Sequence, residues 1–376
     1  GQDWYPFIYR GLVIFVVSCS CGLAISVPVT VVAGMANAAR NGTVFKGGNY
    51  LEVVDKVKVI AFDKTGTLTI GRPEVTDIKC LNDISEAELL NLAAGIESKS
   101  GHPLAAAIVR KAKESDSFSD SLTVEDFEEK SGFGLQATID GHRYVIGNPR
   151  FQQELGVAME TVQEDIATLE SQGKTVVVMS RDGELLGLLA IADKIRPETK
   201  KSLQQLKKAG IRTVMLTGDN ERCAKAIGEM AGVDEYYAGL LPTDKVDTLR
   251  KLREEFGTVA MVGDGINDAP AMAVSDVGIA MGAAGSDIAV EAGDVVLMSD
   301  DLGKIAYLRE LSRRAIKTIK QNIVVSLVNV AFMIVAATLG YLGLVMGLLL
   351  NELSAVFVIF NGLKLLTWKN KKTVEL

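Results

Sequence analysis

Three long apolar stretches constrain this chain more than any other feature of its sequence. They cover about residues 9–33, 323–339 and 342–366, and each approaches the roughly 20 residues that a helix needs to cross a bilayer. Helices buried in a large soluble domain would have a similar composition, but the flanking charges favour a multi-pass membrane protein, with the plasma membrane as the expected location. Basic residues follow the first stretch, precede the second and follow the third: Arg40, Lys46, Arg313, Arg314, Lys317, Lys320, Lys369, Lys371 and Lys372. Because such residues collect on the cytoplasmic side, we expect the middle of the chain and its C-terminus in the cytoplasm.

The charge and the cysteine content indicate which kinds of molecule and which compartment this chain is suited to. The chain has 376 residues, of which 23% are charged, and a formal net charge of −7. Its basic residues do not form a tract interleaved with aromatic residues, so nucleic acid is not an expected partner. Four cysteines, Cys19, Cys21, Cys80 and Cys223, lack the spacing of a disulfide framework. This cysteine usage is consistent with a reducing compartment.

Strand and helix patterns alternate between the membrane stretches, which predicts a doubly wound α/β domain. Runs typical of buried strands cover residues 57–62, 186–192, 213–216, 258–262 and 277–281. Residues 75–185 do not continue this regular alternation, which predicts an inserted α+β domain with its own small antiparallel sheet. The predicted division is a transmembrane helix at 1–46, the two parts of the doubly wound domain at 47–74 and 186–315, the insert at 75–185, and two transmembrane helices with a cytoplasmic tail at 316–376.

Acidic turns follow three of the predicted strands, at Asp63, at Asp219, and at Asp264 and Asp268. The carboxyl ends of neighbouring strands in such a sheet converge on one crevice. Carboxylates gathered there repel each other unless a cation lies among them, and oxygen ligands beside a phosphate favour Mg²⁺. Lys245 supplies the opposite charge that a phosphoryl group needs. Each acid taken singly is more often a turn residue, so the prediction depends on all of them occurring together.

Three segments together resemble the phosphorylation domain of a P-type ATPase: DKTGT from Asp63, TGDN from Thr217 and GDGINDAP from Gly263. The resemblance implies a haloacid-dehalogenase-like fold for this domain. Within the insert, Glu97, His102-Pro103, Gly132-x-Gly134 and Gly147-Asn148 resemble the nucleotide domain of the heavy-metal branch. One departure is Gly101, where relatives usually carry Glu, and we expect it to loosen nucleotide affinity without abolishing it.

The resemblance assigns roles to individual residues. Asp63 accepts the γ-phosphoryl group of ATP, a covalent route that a carboxylate can provide, while Asp264 and the carbonyl of Thr65 ligate Mg²⁺. ATP and Mg²⁺ are therefore the implied cofactors. Asp193 and Arg196 match a hinge near the join of the domains. The other catalytic residues implied are Thr217, Gly218 and Lys245 around the phosphoryl oxygens, Asp268 ordering the loop, and Asp219; the nucleotide-binding residues implied are Glu97, His102, Gly132, Gly134 and Asn148.

Thr65 distinguishes a pump from a phosphatase on chemical grounds. Phosphatases built on the same sheet usually keep a second acid two residues after the nucleophile, where it works as general acid and base. A threonine cannot do this near neutral pH, so the aspartyl phosphate should persist while the protein changes conformation. A membrane-tethered phosphatase is thus a weaker hypothesis, and a regulatory protein that lost catalysis is disfavoured by the intact catalytic set.

Cys19 and Cys21 are polar groups within a membrane stretch, where such groups are by default functional. Residues at i and i+2 of a regular helix point about 200° apart, so the two thiols can share an ion only if the helix is distorted. Relatives carry Cys-Pro-Cys or a variant here, and Ser20 replaces the proline. The resemblance implies Glu352 and Asn351 as further ligands and Zn²⁺, Cd²⁺ or Co²⁺ as the transported cation. Two thiolates with a carboxylate also favour a soft-to-borderline divalent ion over Mg²⁺ or Ca²⁺. A copper-transporting relative is the alternative.

An actuator domain with a Thr-Gly-Glu loop and several helices precede this region in the family, and the chain contains no such loop. The resemblance therefore predicts that the chain is the C-terminal part of a heavy-metal pump. Its expected partners are the transported cation, the lipid bilayer and that missing N-terminal part.

Overall fold

A computed structural model describes residues 4–19, 21–119, 122–130, 132–264, 268–282 and 291–369. Ser20, Lys371 and Lys372 lie outside the described residues. The chain divides into two compact units. The first consists of residues 1–60, 205–212 and 246–376, and the second of residues 61–204 and 213–245.

A seven-stranded sheet has the strand order β1-β13-β12-β11-β2-β9-β10. Strand β2 is fully buried, as are β11 and β12, which is why their sequences are continuous apolar runs. The pairs β9–β10, β11–β12 and β12–β13 are parallel, whereas β1 pairs antiparallel with β13. The bounds are β1 Thr43–Phe45, β2 Val59–Asp63, β9 Arg212–Leu216, β10 Glu235–Tyr237, β11 Val259–Gly263, β12 Val277–Met281 and β13 Val295–Leu297. The predicted doubly wound α/β domain is confirmed.

Helices connect these strands. Helix α9 shows how the local sequence fixes their ends: the Asn220 side chain accepts a hydrogen bond from the N–H of Cys223, and Gly232 stops the helix in the left-handed conformation,. The helices are α3 Asn49–Lys56, α8 Thr199–Lys208, α9 Glu221–Ala231, α10 Pro242–Phe256 and α11 Ala269–Val274.

The insert forms a six-stranded antiparallel sheet with the order β3-β8-β7-β6-β5-β4. Helices α4 and α5 supply Leu89, Ile96 and Ile108 to a core that also contains Ile146 and Leu189 of the sheet. The strands are β3 Glu74–Cys80, β4 Glu125–Lys130, β5 Gly134–Ile139, β6 His142–Gly147, β7 Thr175–Arg181 and β8 Glu184–Ala192, and the helices are α4 Glu86–Glu97, α5 Pro103–Glu114, α6 Pro149–Glu154 and α7 Gln163–Ser171.

The assignment of residues 186–192 to the doubly wound sheet is wrong, because they belong to β8, which pairs with β3 and β7. The inserted sheet thus extends beyond the predicted boundary at residue 185. An apolar run of this length fits a buried strand of either sheet, and only the pairing partners decide between them.

Three candidate membrane spans occur among the described residues. The first apolar stretch is not one continuous helix, since α1 (Tyr5–Val17) ends before Cys19 and α2 (Cys21–Arg40) begins after it. Helix α12 (Gly303–Thr338) starts well before the apolar run predicted at 323, and α13 spans Leu344–Leu363. Small residues let α2 approach its neighbours, because a Cβ on Gly22 would lie 3.3 Å from Cα of Ala355,.

Candidate functional site

Asp63 ends strand β2 and faces a lysine. Its Oδ1 lies 2.5 Å from Nζ of Lys245, in the first turn of α10. Both residues are buried, with 8% and 7% of their surfaces exposed. The structure therefore brings together the predicted nucleophile and the cation predicted to accompany a phosphoryl group.

Hydrogen bonds to its backbone carbonyls hold the loop after Asp63 in place. Thr65 is extended, and Gly66 takes φ = +72°, a left-handed conformation that glycine adopts without steric cost,. The Arg196 guanidinium donates to the carbonyl of Gly66 at 2.8 Å and to those of Thr67 and Thr69 at 3.1 and 3.0 Å. One arginine side chain thus contacts three carbonyls of the loop.

Asp193 closes the far end of the same loop. Its carboxylate accepts hydrogen bonds from the Thr69 hydroxyl at 2.5 Å and from the N–H groups of Gly71 and Arg72 at 3.1 Å. Asp193 and Arg196, predicted only as hinge residues, hold the loop that follows Asp63.

Lys64 forms a second ion pair, with Asp219 at 2.6 Å. Burial disfavours the carboxylate form of Asp219, yet the Lys64 ammonium and the hydrogen bonds from Lys64 and Thr217 hold the pKa of Asp219 below its ordinary value,. Burial likewise opposes the charge on Lys64, but Asp219 outweighs it and raises the pKa of the lysine. The Thr217 hydroxyl donates to Asp219 at 2.7 Å. Asp219, the aspartate of the TGDN segment, therefore forms an ion pair with Lys64, which directly follows Asp63.

Two further carboxylates follow strand β11. Asp264 comes directly after the strand, and Asp268 directly precedes helix α11. Such hard oxygen donors suit Mg²⁺. The buried Thr67 hydroxyl has no hydrogen-bond partner among the described residues. The donor set, together with this orphaned hydroxyl, fits a divalent cation and a phosphoryl group.

Glu97 and His102 lie at facing ends of α4 and α5. His102 caps α5, its Nδ1 accepting from the N–H of Leu104 at 3.2 Å. Burial raises the pKa of Glu97 to about 7, and the charge of Glu129 on β4 adds to this. Burial lowers the pKa of His102, which Glu129 opposes. Glu97 is thus a buried carboxylate influenced by a second carboxylate.

Asn148 contacts Gly132, another predicted nucleotide-binding residue of the insert. Its Nδ2 donates to the carbonyl of Gly132 at 2.9 Å, and its Oδ1 accepts from the N–H of Phe151 at 2.8 Å. Gly134 has φ = +149°, and a Cβ there would lie 2.3 Å from the carbonyl oxygen of Ile146. Strand pairing within the sheet therefore requires this glycine, a constraint that differs from the predicted close approach of a ligand.

Cys19 and Cys21 lie where two helices meet in the sequence, since α1 ends at Val17 and α2 begins at Cys21. Their sulfur atoms are 3.6 Å apart. Asn351, buried on α13, donates its Nδ2 to the carbonyl of Cys19 at 3.0 Å. Glu352 is exposed and lies within electrostatic reach of Cys21. The other cysteines are separate, and burial raises the pKa of Cys223 to about 12, consistent with an inert thiol,.

A model of the haloacid dehalogenase-like hydrolases matches residues 57–276, which include Asp63, Lys245, Asp264 and Asp268. The chain belongs to this family.

Relatives of this hydrolase-family chain place it more narrowly. It is 43% identical to a probable cadmium-transporting ATPase of Staphylococcus aureus (strain MRSA252), over 99% of this chain and 52% of the relative. It is also 43% identical to a zinc-transporting ATPase of Bacillus subtilis (strain 168), over 97% of this chain and 57% of the relative. The crystal structure of a zinc-transporting PIB-type ATPase in the E2.Pi state matches with a TM-score of 0.76 and 40% identity, over 97% of this chain and 59% of that one. The resemblance to heavy-metal P-type ATPases is confirmed, and the chain spans about half the length of the curated relatives it matches.

Two contributions to this hydrolase site were missed by sequence reasoning. Lys64 lies inside DKTGT, but its ion pair with Asp219 joins segments more than 150 residues apart. The hydrogen bonds from Arg196 to the loop carbonyls likewise join residues that are far apart in the sequence. A lysine directly after the nucleophile was the only signal that could have suggested the first of them.

Proposed function

We propose that this chain is the catalytic and ion-binding part of a P-type ATPase that exports a heavy-metal cation of the Zn²⁺, Cd²⁺ or Co²⁺ class. The observation that carries the proposal is the buried Asp63–Lys245 contact at the carboxyl end of β2. The similarity to cadmium- and zinc-transporting ATPases supports the choice of substrate class.

In this proposal the carboxylate of Asp63 attacks the γ-phosphorus of ATP, so that a new oxygen–phosphorus bond forms and ADP leaves. Lys245, Thr217 and Gly218 hold the phosphoryl oxygens, and Asp268 orders the loop. Asp63, Asp264 and the carbonyl of Thr65 would hold Mg²⁺, which would supply positive charge to the transferring group. Asp219 contributes indirectly, by fixing Lys64. Because Thr65 cannot act as a general acid or base, the acyl phosphate persists.

The inserted domain presents the nucleotide. Glu97 and His102 receive the adenine, and Gly132, Gly134 and Asn148 form the adjoining backbone wall. Two observations support this: Glu97 is buried without an ion-pair partner among the described residues, and Asn148 fixes the carbonyl of Gly132. A ligand that satisfies Glu97 would offset the cost of its burial.

The transported cation binds at Cys19 and Cys21 with Glu352, and Asn351 orients the carbonyl of Cys19 or adds its own oxygen. The distance of 3.6 Å between the two sulfur atoms supports a shared ion. Soft thiolates with one carboxylate favour a soft-to-borderline divalent cation over Mg²⁺ or Ca²⁺. The remaining helices and the actuator domain, needed for transport, come from the rest of the protein, with the catalytic domains on the cytoplasmic side.

The test uses full-length protein with [γ-³²P]ATP and Mg²⁺. We expect an acid-stable, hydroxylamine-sensitive label that Asp63→Asn removes while nucleotide binding persists. Asp247→Asn, an exposed acid on α10, is the matched control and should label normally. Label surviving Asp63→Asn would reject the assignment.

The cation is tested by metal-dependent ATP hydrolysis of the full-length protein. Zn²⁺, Cd²⁺ or Co²⁺ should stimulate hydrolysis, and Cys19→Ala, Cys21→Ala and Glu352→Gln should each suppress the stimulation. Stimulation by Cu⁺ alone, or indifference to the three substitutions, would favour the copper alternative or another site.

A further inference from the structure

A basic groove runs along α12 just before its most apolar segment. It is open and has a volume of about 820 Å³. Arg309, Arg313, Lys317 and Lys320 line it, and their spacing of i, i+4, i+8 and i+11 places them on one face of the helix. Asp55 is the only acidic residue in its lining. The groove therefore carries a concentrated positive charge.

Most of this charge is uncompensated. Arg309 pairs with Asp55, which leaves three basic residues. Arg313, Lys317 and Lys320 are exposed and form neither an ion pair nor a side-chain hydrogen bond within the part of the chain that the structure describes. Arg309 itself has a buried Nε without an acceptor among the described residues. The groove thus offers donors and charge that an anion could satisfy.

The groove continues into a mostly apolar one. Val324 and Val325 line both the basic groove and a second groove of about 450 Å³, which is also lined by Val328, Asn329 and Phe332. The four apolar residues among these are strongly exposed, from 40% to 65%, in a helix long and apolar enough to cross a membrane. A molecule that fits both grooves has an anionic head and a hydrocarbon tail.

We propose that these two grooves bind one anionic phospholipid, with its phosphate beside Arg313, Lys317 and Lys320 and an acyl chain along Val324, Val325 and Phe332. Basic pockets next to the cytoplasmic ends of membrane helices recognise anionic headgroups in this way. A zwitterionic lipid satisfies the apolar groove equally but offers no net charge to the basic one. The assignment rests on the membrane orientation proposed above and is independent of phosphorylation and of the transported ion.

The test uses full-length protein reconstituted into nanodiscs with a photoactivatable phosphatidylglycerol or, separately, a photoactivatable phosphatidylcholine. Labelled peptides are then mapped by mass spectrometry. We expect phosphatidylglycerol to label residues 313–332 preferentially. Each basic side chain removed should weaken labelling about fivefold, so the triple variant Arg313→Gln, Lys317→Gln and Lys320→Gln should lose most of it.

The matched control is Lys200→Gln, Lys201→Gln and Lys251→Gln, which removes the same charge from exposed positions on α8 and α10. Labelling should be unchanged in the control and should fall with added salt. Equal labelling by the two lipids, or equal loss in both triple variants, would overturn the proposal. So would a photoreactive residue at position 324 that cross-links to another protein segment instead of to lipid. Loss of phosphoenzyme without loss of lipid labelling would count against the proposed function alone.

Discussion

In the loop that follows β2, the charges of Asp63 and Lys64 each lie against an opposite charge, whereas Glu97 of the inserted domain lies near another carboxylate, Glu129. In the first region the protein compensates its own charges, so the loop is preformed. In the second, a buried carboxylate remains without compensation, which disfavours its ionised form. The difference suggests that the loop is built for a fixed geometry and the nucleotide region for a group that arrives from outside.

The largest effect is expected when one charge of the loop is removed, because its partner is then left uncompensated. Lys64→Met leaves the partly buried Asp219 without its partner, which should cost about 3 kcal/mol of local stability,. Hydrogen–deuterium exchange of peptides covering residues 59–71 measures this loss as faster exchange. Lys56→Met, which removes a cation from an exposed pair with Glu52, is the control and should change stability by less than about 1 kcal/mol. Unchanged exchange in Lys64→Met would show that the pair is not structural.

Glu97 provides the converse test. Its folded pKa of about 7 exceeds the ordinary value of 4.5, so the unfolded chain releases this proton at lower pH than the folded one. Stability should therefore fall as pH rises from about 4.5 to about 7 and level off above that, a loss of roughly 3 kcal/mol.

Glu97→Gln keeps the shape of the side chain and should remove this loss. The measurement is thermal unfolding of both proteins between about pH 5 and pH 8, with exposed Glu128→Gln as control. Parallel pH profiles of wild type and Glu97→Gln would mean that the carboxylate is compensated after all.

Arg196 tests whether the loop must be held in its observed conformation for phosphoenzyme formation. Arg196→Gln removes the charged donor shared by the carbonyls of Gly66, Thr67 and Thr69. Charged hydrogen bonds contribute about 1.5–3 kcal/mol, so the initial rate of phosphoenzyme formation should fall about 10- to 100-fold. Nucleotide affinity should stay unchanged, because the insert is untouched. Arg250→Gln, exposed on α10, serves as control; an equal fall in both variants would contradict the positioning role.

The smallest expected effect separates two roles of His102. His102→Ala removes the cap of α5 and should cost about 1 kcal/mol, whereas His102→Asn supplies a new cap and should restore that stability. If the imidazole also contacts nucleotide, both variants bind ATP more weakly, as isothermal titration would show. Recovery of ATP affinity in His102→Asn would reduce His102 to a capping residue.

The sequence predicted the doubly wound domain, the inserted antiparallel sheet, three membrane spans and the carboxylates at the strand ends. These succeed because burial, strand length and turn residues are encoded locally. It misplaced residues 186–192, since an apolar run does not reveal its neighbours, and it did not foresee that the neighbouring strand leaves no room for a side chain at Gly134. It also started the second membrane helix at the apolar run, although the helix begins at Gly303.

By itself the sequence determined which side chains are available: an aspartate at the end of a buried strand, a threonine where a phosphatase would carry an acid, and two cysteines in a long apolar stretch. The tertiary structure alone decided which groups meet: Lys64 with Asp219, Arg196 with the loop carbonyls, Asn351 with Cys19, and the four basic residues of α12 with one groove. The reason is that residue chemistry is local, whereas contacts and burial, which set charge compensation and pKa, arise only when distant segments pack together.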